Sequence, residues 1–330
     1  MIQAKQKILG TRLVLLGILG LLLVVGSVFF GEYRVSWVDF VDTLSGKPPA
    51  PMTEFFVLQR RLPRALVAFA TGVCLAAAGS LIQQLLKNPL ASPDIIGITN
   101  TASLGGALVI LLWGGTTATA WTGALAGAAI ALGFLFMAQK LFNVTGAKLI
   151  LLGVGLAAIS TALINYLLTI VFVPSAVVAQ SWLVGTLQGR GWAELPLLSF
   201  GVLVLVAVHV FFAKDLKILD MGDDTAGGLG INVPRLRTTL LAAAALLTAI
   251  AVLSAGPIGF VALVAPHIAT ALTGSKNLIG AALCGGILLS ASDLIAQYAL
   301  PVAVPVGVIT IIGGGGFFLW LLFGKGRIRG

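Results

Sequence analysis

The sequence predicts an all-α, polytopic integral membrane protein with about ten transmembrane helices, some short or broken, in a single domain over residues 1–330. Three observations predict it. Hydrophobic residues make up 58 % of the chain and charged residues 9 %, with a mean hydropathy of +1.08, whereas a soluble domain carries about 25 % charged residues. The few charges leave long gaps, many near or above the ~20 residues that cross a bilayer. Lysine and arginine also crowd one set of alternate loops, as they do on the cytoplasmic side of membrane proteins. Two soluble domains, the usual reading of this length, are therefore excluded, as are disordered and fibrous chains, which lack such apolar content.

The charge-free interval 13–31 reads as an uncleaved first helix, because its 19 residues exceed a usual signal core and no Ala-x-Ala site follows. A loop over 32–62 comes next, where Lys47, Pro48, Pro49 and Pro51 predict irregular backbone. Interval 65–86 holds the second span, and 95–139 holds two, broken near Gly114-Gly115-Thr116-Thr117. Interval 149–189 gives one span to about Val173, after which Pro174 opens a turn and a short outer helix; 195–213 is the sixth span. The loop over 214–237 places four of the chain's eleven acids within 17 residues. It predicts one or two short helices on the cytoplasmic face, capped by Asp223 or Asp224 and ended by Gly230, with a solvated linker as the alternative. Interval 238–275 is a span, a break at Gly256-Pro257 and a short helix to about Thr270. A span over 277–298, a break from Pro301 to Pro305 and a final span over 306–323 complete ten. Ten is even, so both termini share a side. Placing them in the cytoplasm puts fourteen cations in inner loops and six in outer ones, as the positive-inside rule requires.

The chemistry present is sparse. Cys74 and Cys284 lie in apolar stretches and read as small buried residues, not as a disulfide or metal pair. No phosphate-binding loop, zinc motif or serine–histidine–acid set occurs. The net charge of +9 is assigned to loop anchoring and not to nucleic acid. His209 reads as interfacial and His267, after Pro266, as structural or capping. Nearly every acid falls in a loop, except Asp293 one turn below the outer end of span nine, with Gln297 on the same face. That scarcity of intramembrane charge argues against a proton- or sodium-coupled carrier and places the energy source on another chain.

Two breaks, Asn88-Pro89-Leu90-Ala91-Ser92-Pro93 and Gly256-Pro257-Ile258-Gly259, each precede a short helix in a different half, which points to an inverted repeat and a transport pathway. Most of the 41 glycines read as packing residues; at the tetrad Gly313 to Gly316 either a neighbour presses or the helix is loose. The run Arg60-Arg61-Leu62-Pro63-Arg64 sits on the side that the charge rule disfavours. Arg61 and Arg64 share a helix face and read as a docking patch for acidic groups, or else as lipid-headgroup anchors.

Several segments together resemble the iron-siderophore and vitamin B12 type of bacterial ABC importer permease. They are Arg61-Leu62-Pro63-Arg64, residues 75–83 ending at Gln83, residues 88–97, Trp182-Leu183-Val184-Gly185-Thr186-Leu187, Met221-Gly222-Asp223 with Ala226 and Leu229-Gly230, residues 256–261 to Pro266-His267, and Pro305-Val306-Gly307-Val308-Ile309-Thr310 to 318–322. The resemblance covers nearly the whole chain. It implies ten helices and a permease dimer, homo- or heteromeric, in the bacterial inner or plasma membrane and its lipid. It implies two cytoplasmic ATPase subunits that hold ATP and Mg, so that this chain carries no cofactor and no catalytic residue. It also implies an extracytoplasmic siderophore-binding protein, docked at Arg61 and Arg64. The loop 214–237 becomes the coupling element, with Asp220, Gly222, Asp223, Asp224, Ala226, Leu229 and Gly230. Gln83, Asn88, Pro89, Pro93, Gly256, Pro257, Pro266, His267, Pro305 and Gly307 become pathway or structural-motif positions. Three features depart from the family's habit: Ala269 and Thr270 where arginine is common, Gln297 where a basic residue is common, and Gly314-Gly315 where a small residue and proline are usual. The last departure predicts a straighter, more pliable final helix. The Asn88 to Gly97 block with Gly189-Arg190-Gly191-Trp192 is most similar to ferric-citrate-type permeases; a B12 or haem importer keeps the same machine, and a proton-coupled carrier is the more distant alternative.

Overall fold

The computed structural model describes residues 2–114, 116, 119–142 and 147–324, and among these every regular element is helical. Gly115 and Thr117 of the expected third-span break, and the terminal cations Lys325, Arg327 and Arg329, lie outside the described residues. In chain order the helices are α1 (Ile2–Ser27), α2 (Trp37–Leu44), α3 (Pro51–Glu54), α4 (Leu62–Leu85), α5 (Ile98–Trp113), α6 (Ala120–Phe142) and α7 (Ala147–Ile170). They continue as α8 (Val173–Leu183), α9 (Leu195–Asp220), α10 (Asp223–Gly228), α11 (Val233–Ala255), α12 (Val261–Thr273), α13 (Leu278–Leu294) and α14 (Val306–Gly324). Seven stretches are long and apolar enough to cross a membrane, and the shorter apolar helices α5, α12 and α14 join them, in agreement with ten spans. The end carrying α2 and α3 is termed outer and the opposite end inner.

The chain packs around α4, whose residues Cys74 to Ala78 are almost wholly buried. Lipid supplies no hydrophobic drive between helices, so close contact depends on small residues. At Gly72 a Cβ would strike the Gly285 carbonyl of α13, and at Gly79 the Ala262 carbonyl of α12. The Phe69 ring fills the notch between Gly20 of α1 and Gly286 of α13, at 2.6 Å from where either Cβ would stand. The pair α5 and α6 uses the same device, with Gly105 and Gly123 facing each other and Gly127 against the Thr101 carbonyl.

Two loops differ from expectation. The 32–62 segment is not irregular throughout: α2 starts in a capping box, with Asp39 N–H donating to Ser36 Oγ at 3.1 Å and Ser36 N–H to Asp39 Oδ2 at 3.0 Å. From Pro51 the chain is one 35-residue rod to Leu85, because a π-helical segment, Phe55–Arg61, joins α3 to α4. A second π-helical segment, Ile295–Ala299, extends α13. On the inner side α9 runs through Asp220, so the loop narrows to 221–232 around α10. Gly222, at φ +127°, caps α10 in place of an aspartate, while Gly230, at φ +85°, closes it as the sequence implies.

Both expected breaks are present. Each is followed by a short helix whose cap residue is left-handed, Gly97 at φ +76° before α5 and Phe260 at φ +68° before α12.

Candidate functional site

The outer site is built on the two π-helical segments. A π turn admits one extra residue per turn and recurs at functional sites; here the two flank a cavity of about 680 Å³ lined by Arg60, Arg61, Arg64, Arg190, Asp293 and Gln297, among others. Arg64 reaches across to α13 and binds Asp293 in fork geometry, Nε to Oδ2 at 3.0 Å and Nη2 to Oδ1 at 2.8 Å. Gln297 Nε2 donates to the same Oδ2 at 2.7 Å. The side chains are 18 % and 7 % exposed, so the pair is largely removed from solvent. Sequence spacing brings out Asp293 with Gln297, whereas Arg64 is their unanticipated partner.

Arg61 also turns inward. Its Nη1 and Nη2 donate to the Val28 and Tyr33 carbonyls at 2.8 and 2.7 Å, and its guanidinium lies over the Phe56 ring. The turn it pins needs glycine at 31: φ is +132°, and a Cβ there would meet Arg61 Nη2 at 2.5 Å. Among the cavity's arginines the exposed one is Arg60, stacked over Phe55. Arg190 lies 3.4 Å from Glu194, with its Nε buried and unpartnered. Trp192 Nε1 ties this loop to the Leu58 carbonyl at 2.6 Å.

The inner site is α10. Ala226 is its buried anchor, while Met221 and Leu229 stand 71 % and 63 % exposed on either side. Asp224 is exposed. Asp223 does not cap the helix; its carboxylate takes Lys87 Nζ at 2.8 Å and Arg237 Nη2 at 3.0 Å. The hydrogen bond from Lys87, with Arg237 nearby, holds its carboxyl below the usual range. Asp220 lies 3.8 Å from Lys276 in the turn before α13.

The remaining motif positions fall into separate groups. Asn88 Oδ1 accepts from Leu90 N–H at 2.9 Å and shapes the turn that holds Pro89 and Pro93. Gln83 Nε2 and His267 Nδ1 converge on the Leu263 carbonyl at 3.1 and 2.8 Å, so His267, with Nδ1 protonated, serves the helix that Pro266 interrupts. Gly256, Pro257 and Gly307 gather around residues 184–186, and Pro305 accepts from Val308 N–H at 3.1 Å at the start of α14. Thr186 N–H donates to Ala255 O at 2.9 Å and Gly307 N–H to Gly185 O at 3.2 Å, and side chains at 185, 256 or 307 would strike facing backbone. Asp94, an acid that the sequence places with the loop residues, is half-buried in the turn before α5.

A bundle with a cation-lined outer cavity, an anchored inner helix and small-residue seams between its spans is a transport permease by class. Residues 18–324 match the FecCD transport family, and the chain belongs to that family, the iron-siderophore and vitamin B12 type of ABC importer permease. It is 38 % identical over 289 residues to the ferric enterobactin transport system permease protein FepG of Escherichia coli K12, covering 86 % of this chain and 87 % of that one. It is 36 % identical over 323 residues to the Fe(3+)-citrate import system permease protein YfmE of Bacillus subtilis 168, covering 96 % of each. It is 35 % identical over 327 residues to the vitamin B12 import system permease protein BtuC of Escherichia coli O127:H6, covering 96 % and 95 %. A solved metal-chelate type ABC transporter in an inward-facing conformation superposes with a TM-score of 0.83 at 25 % identity, over 95 % of this chain and 99 % of that one.

Proposed function

We propose that this chain is the transmembrane permease subunit of an ATP-driven importer that carries a ferric siderophore, of the ferric-citrate type, across the bacterial inner membrane. The near full-length similarity to permeases for iron chelates carries the reading. In this reading both termini are cytoplasmic. Two ATPase subunits hold ATP and Mg and grip α10 through Met221 and Leu229. An extracytoplasmic binding protein docks its acids at the outer cavity, where Arg60 is the open cation and an incoming carboxylate competes with Asp293 for Arg64. Arg61 supports the rim from beneath.

The chain works as a pair. The exposed face of α7 carries Thr161, Asn165 and Tyr166, and lipid does not solvate such groups at membrane depth. A second permease subunit facing them encloses a pathway, which rocks open to alternate sides as the ATPases close and part. The test is reconstitution in liposomes with the ATPase and binding protein, followed by uptake of radioactive iron as several ferric siderophores, with labelled B12 alongside. Iron uptake that needs ATP and survives a proton uncoupler is the expected result. Uptake of B12 alone would replace the cargo, and uptake driven by a proton gradient without ATP would overturn the mechanism.

A further inference from the structure

We propose that the inner cavity between α4, α6, α7 and α11 binds the phosphate of an anionic phospholipid of the inner leaflet, held by Lys140 and Arg237. The bound lipid then bears on α10, because Arg237 also holds Asp223; that second step rests on the importer reading above.

The cavity measures about 660 Å³. It lies at the inner side, where α4 and α6 end and α7 and α11 begin. Its lining is graded with depth. On α6, Phe136 stands one turn deeper than Lys140, and on α11, Leu241 stands one turn deeper than Arg237. Leu85 and Leu149 add to the apolar wall. One helical turn rises about 5.4 Å, so cations nearest the inner end give way to hydrocarbon within that distance. A phospholipid has the same order, with its phosphate at the interface and its chains inward. A soluble anion would leave the apolar wall uncovered, and an apolar ligand would leave the cations unused.

The charge balance selects the headgroup. Lys87 and Arg237 share Asp223, at 2.8 and 3.0 Å. Lys140 has no acid within ion-pair reach among the described residues. Three cations therefore face one acid, and the surplus favours a headgroup with net negative charge. Donors stand ready for it. Arg237 Nε is buried and has no partner among the described residues; such a donor is costly unless an acceptor meets it, and guanidinium and phosphate match in geometry. Gln139 and Thr238 also line the cavity. Basic pockets between membrane helices on the cytoplasmic side recur as headgroup sites. Beside Lys140, Met137 and Leu141 of α6 are exposed, which continues the apolar wall into a surface that lipid chains cover.

The test uses the full-length chain purified in detergent without other subunits. It is titrated with phosphatidylglycerol and, separately, with phosphatidylethanolamine, and bound lipid is counted by native mass spectrometry. One phosphatidylglycerol should be retained about tenfold more tightly than phosphatidylethanolamine, and millimolar inorganic phosphate should not displace it. Lys140→Gln, at an exposed position, should weaken that copy about tenfold, as loss of a charge-assisted contact does. Thr238→Trp fills the cavity without changing charge and should abolish the bound copy. Arg235→Gln, exposed and outside the lining, should leave it in place. Equal retention of the two lipids, displacement by phosphate, survival of the bound copy in both cavity variants, or its loss in Arg235→Gln would each overturn the site.

In liposomes with the ATPase and binding protein, uptake should rise as phosphatidylglycerol replaces phosphatidylethanolamine, and Lys140→Gln should flatten the rise. A flat response in the unmodified transporter would overturn the step to α10. Absence of ATP-driven uptake in every lipid would refute the importer reading and leave the binding result standing.

Discussion

Arg64 and Asp293 lie 229 positions apart in the chain and share one buried fork. Periodicity along a helix makes Asp293 and Gln297 legible as a pair, because four residues return to one face. It cannot bring out Arg64, which meets them only because α4 and α13 pack through glycines. The consequence bears on which variant can test docking. Reversing Arg64 would bury two carboxylates together and damage the fold along with any docking. Arg60→Glu is the cleaner probe, since that side chain is exposed: binding-protein affinity should fall by about tenfold or more with thermal stability unchanged, as loss of charge-assisted contacts predicts. Asp293→Ala should act in the opposite way. It strands the Arg64 guanidinium and should lower stability by about 3 kcal/mol, the cost of breaking a largely buried pair. Thermal unfolding of both variants in detergent, beside a binding assay, separates the two roles.

At the scale of elements, the glycine tetrad of α14 divides unequally. From sequence alone, pressure by a neighbour and looseness were alternatives; the fold contains both, at different residues. Gly314→Ala collides with Phe260 and should cost about 1–3 kcal/mol, as overpacking does. Gly315→Ala meets nothing within 4 Å and should stabilise the helix by up to about 1 kcal/mol through propensity. Unfolding midpoints of the two variants compare them directly. Most other elements were legible, because charge-free intervals mark spans, and proline and glycine mark breaks. The π-helical joints and the α3–α4 rod were not legible, since proline at 51 reads equally as a loop residue or as the first residue of a helix. Gly222 replaced the expected aspartate cap because Asp223 is drawn to Lys87 and Arg237. Its carboxyl is held below the ordinary range, so this clamp is intact at neutral pH and is lost only as pH falls through that depressed value.

At the scale of the whole molecule, the charge count orients the chain. Fourteen cations on one side against six on the other predict that α10 faces the cytoplasm. Leu229→Cys should react with an impermeant maleimide only in inverted vesicles, and Lys47→Cys only in right-side-out ones. The native Cys74 and Cys284 are buried and should give little background. Labelling with the sides exchanged would reverse the topology and remove the ATPase contact from α10.

The π-helical segment at Phe55–Arg61 carries one more consequence. Each residue added to an α-helix turns everything beyond it by about 100°. The surplus residue therefore aims Arg60 and Arg61 independently of the inner part of α4, whose facing is dictated by its glycine seams. Chain length in that turn is thus a coded quantity in its own right. Deleting Gln59 alone would leave every arginine and aromatic ring of the rim still present, and would point them elsewhere.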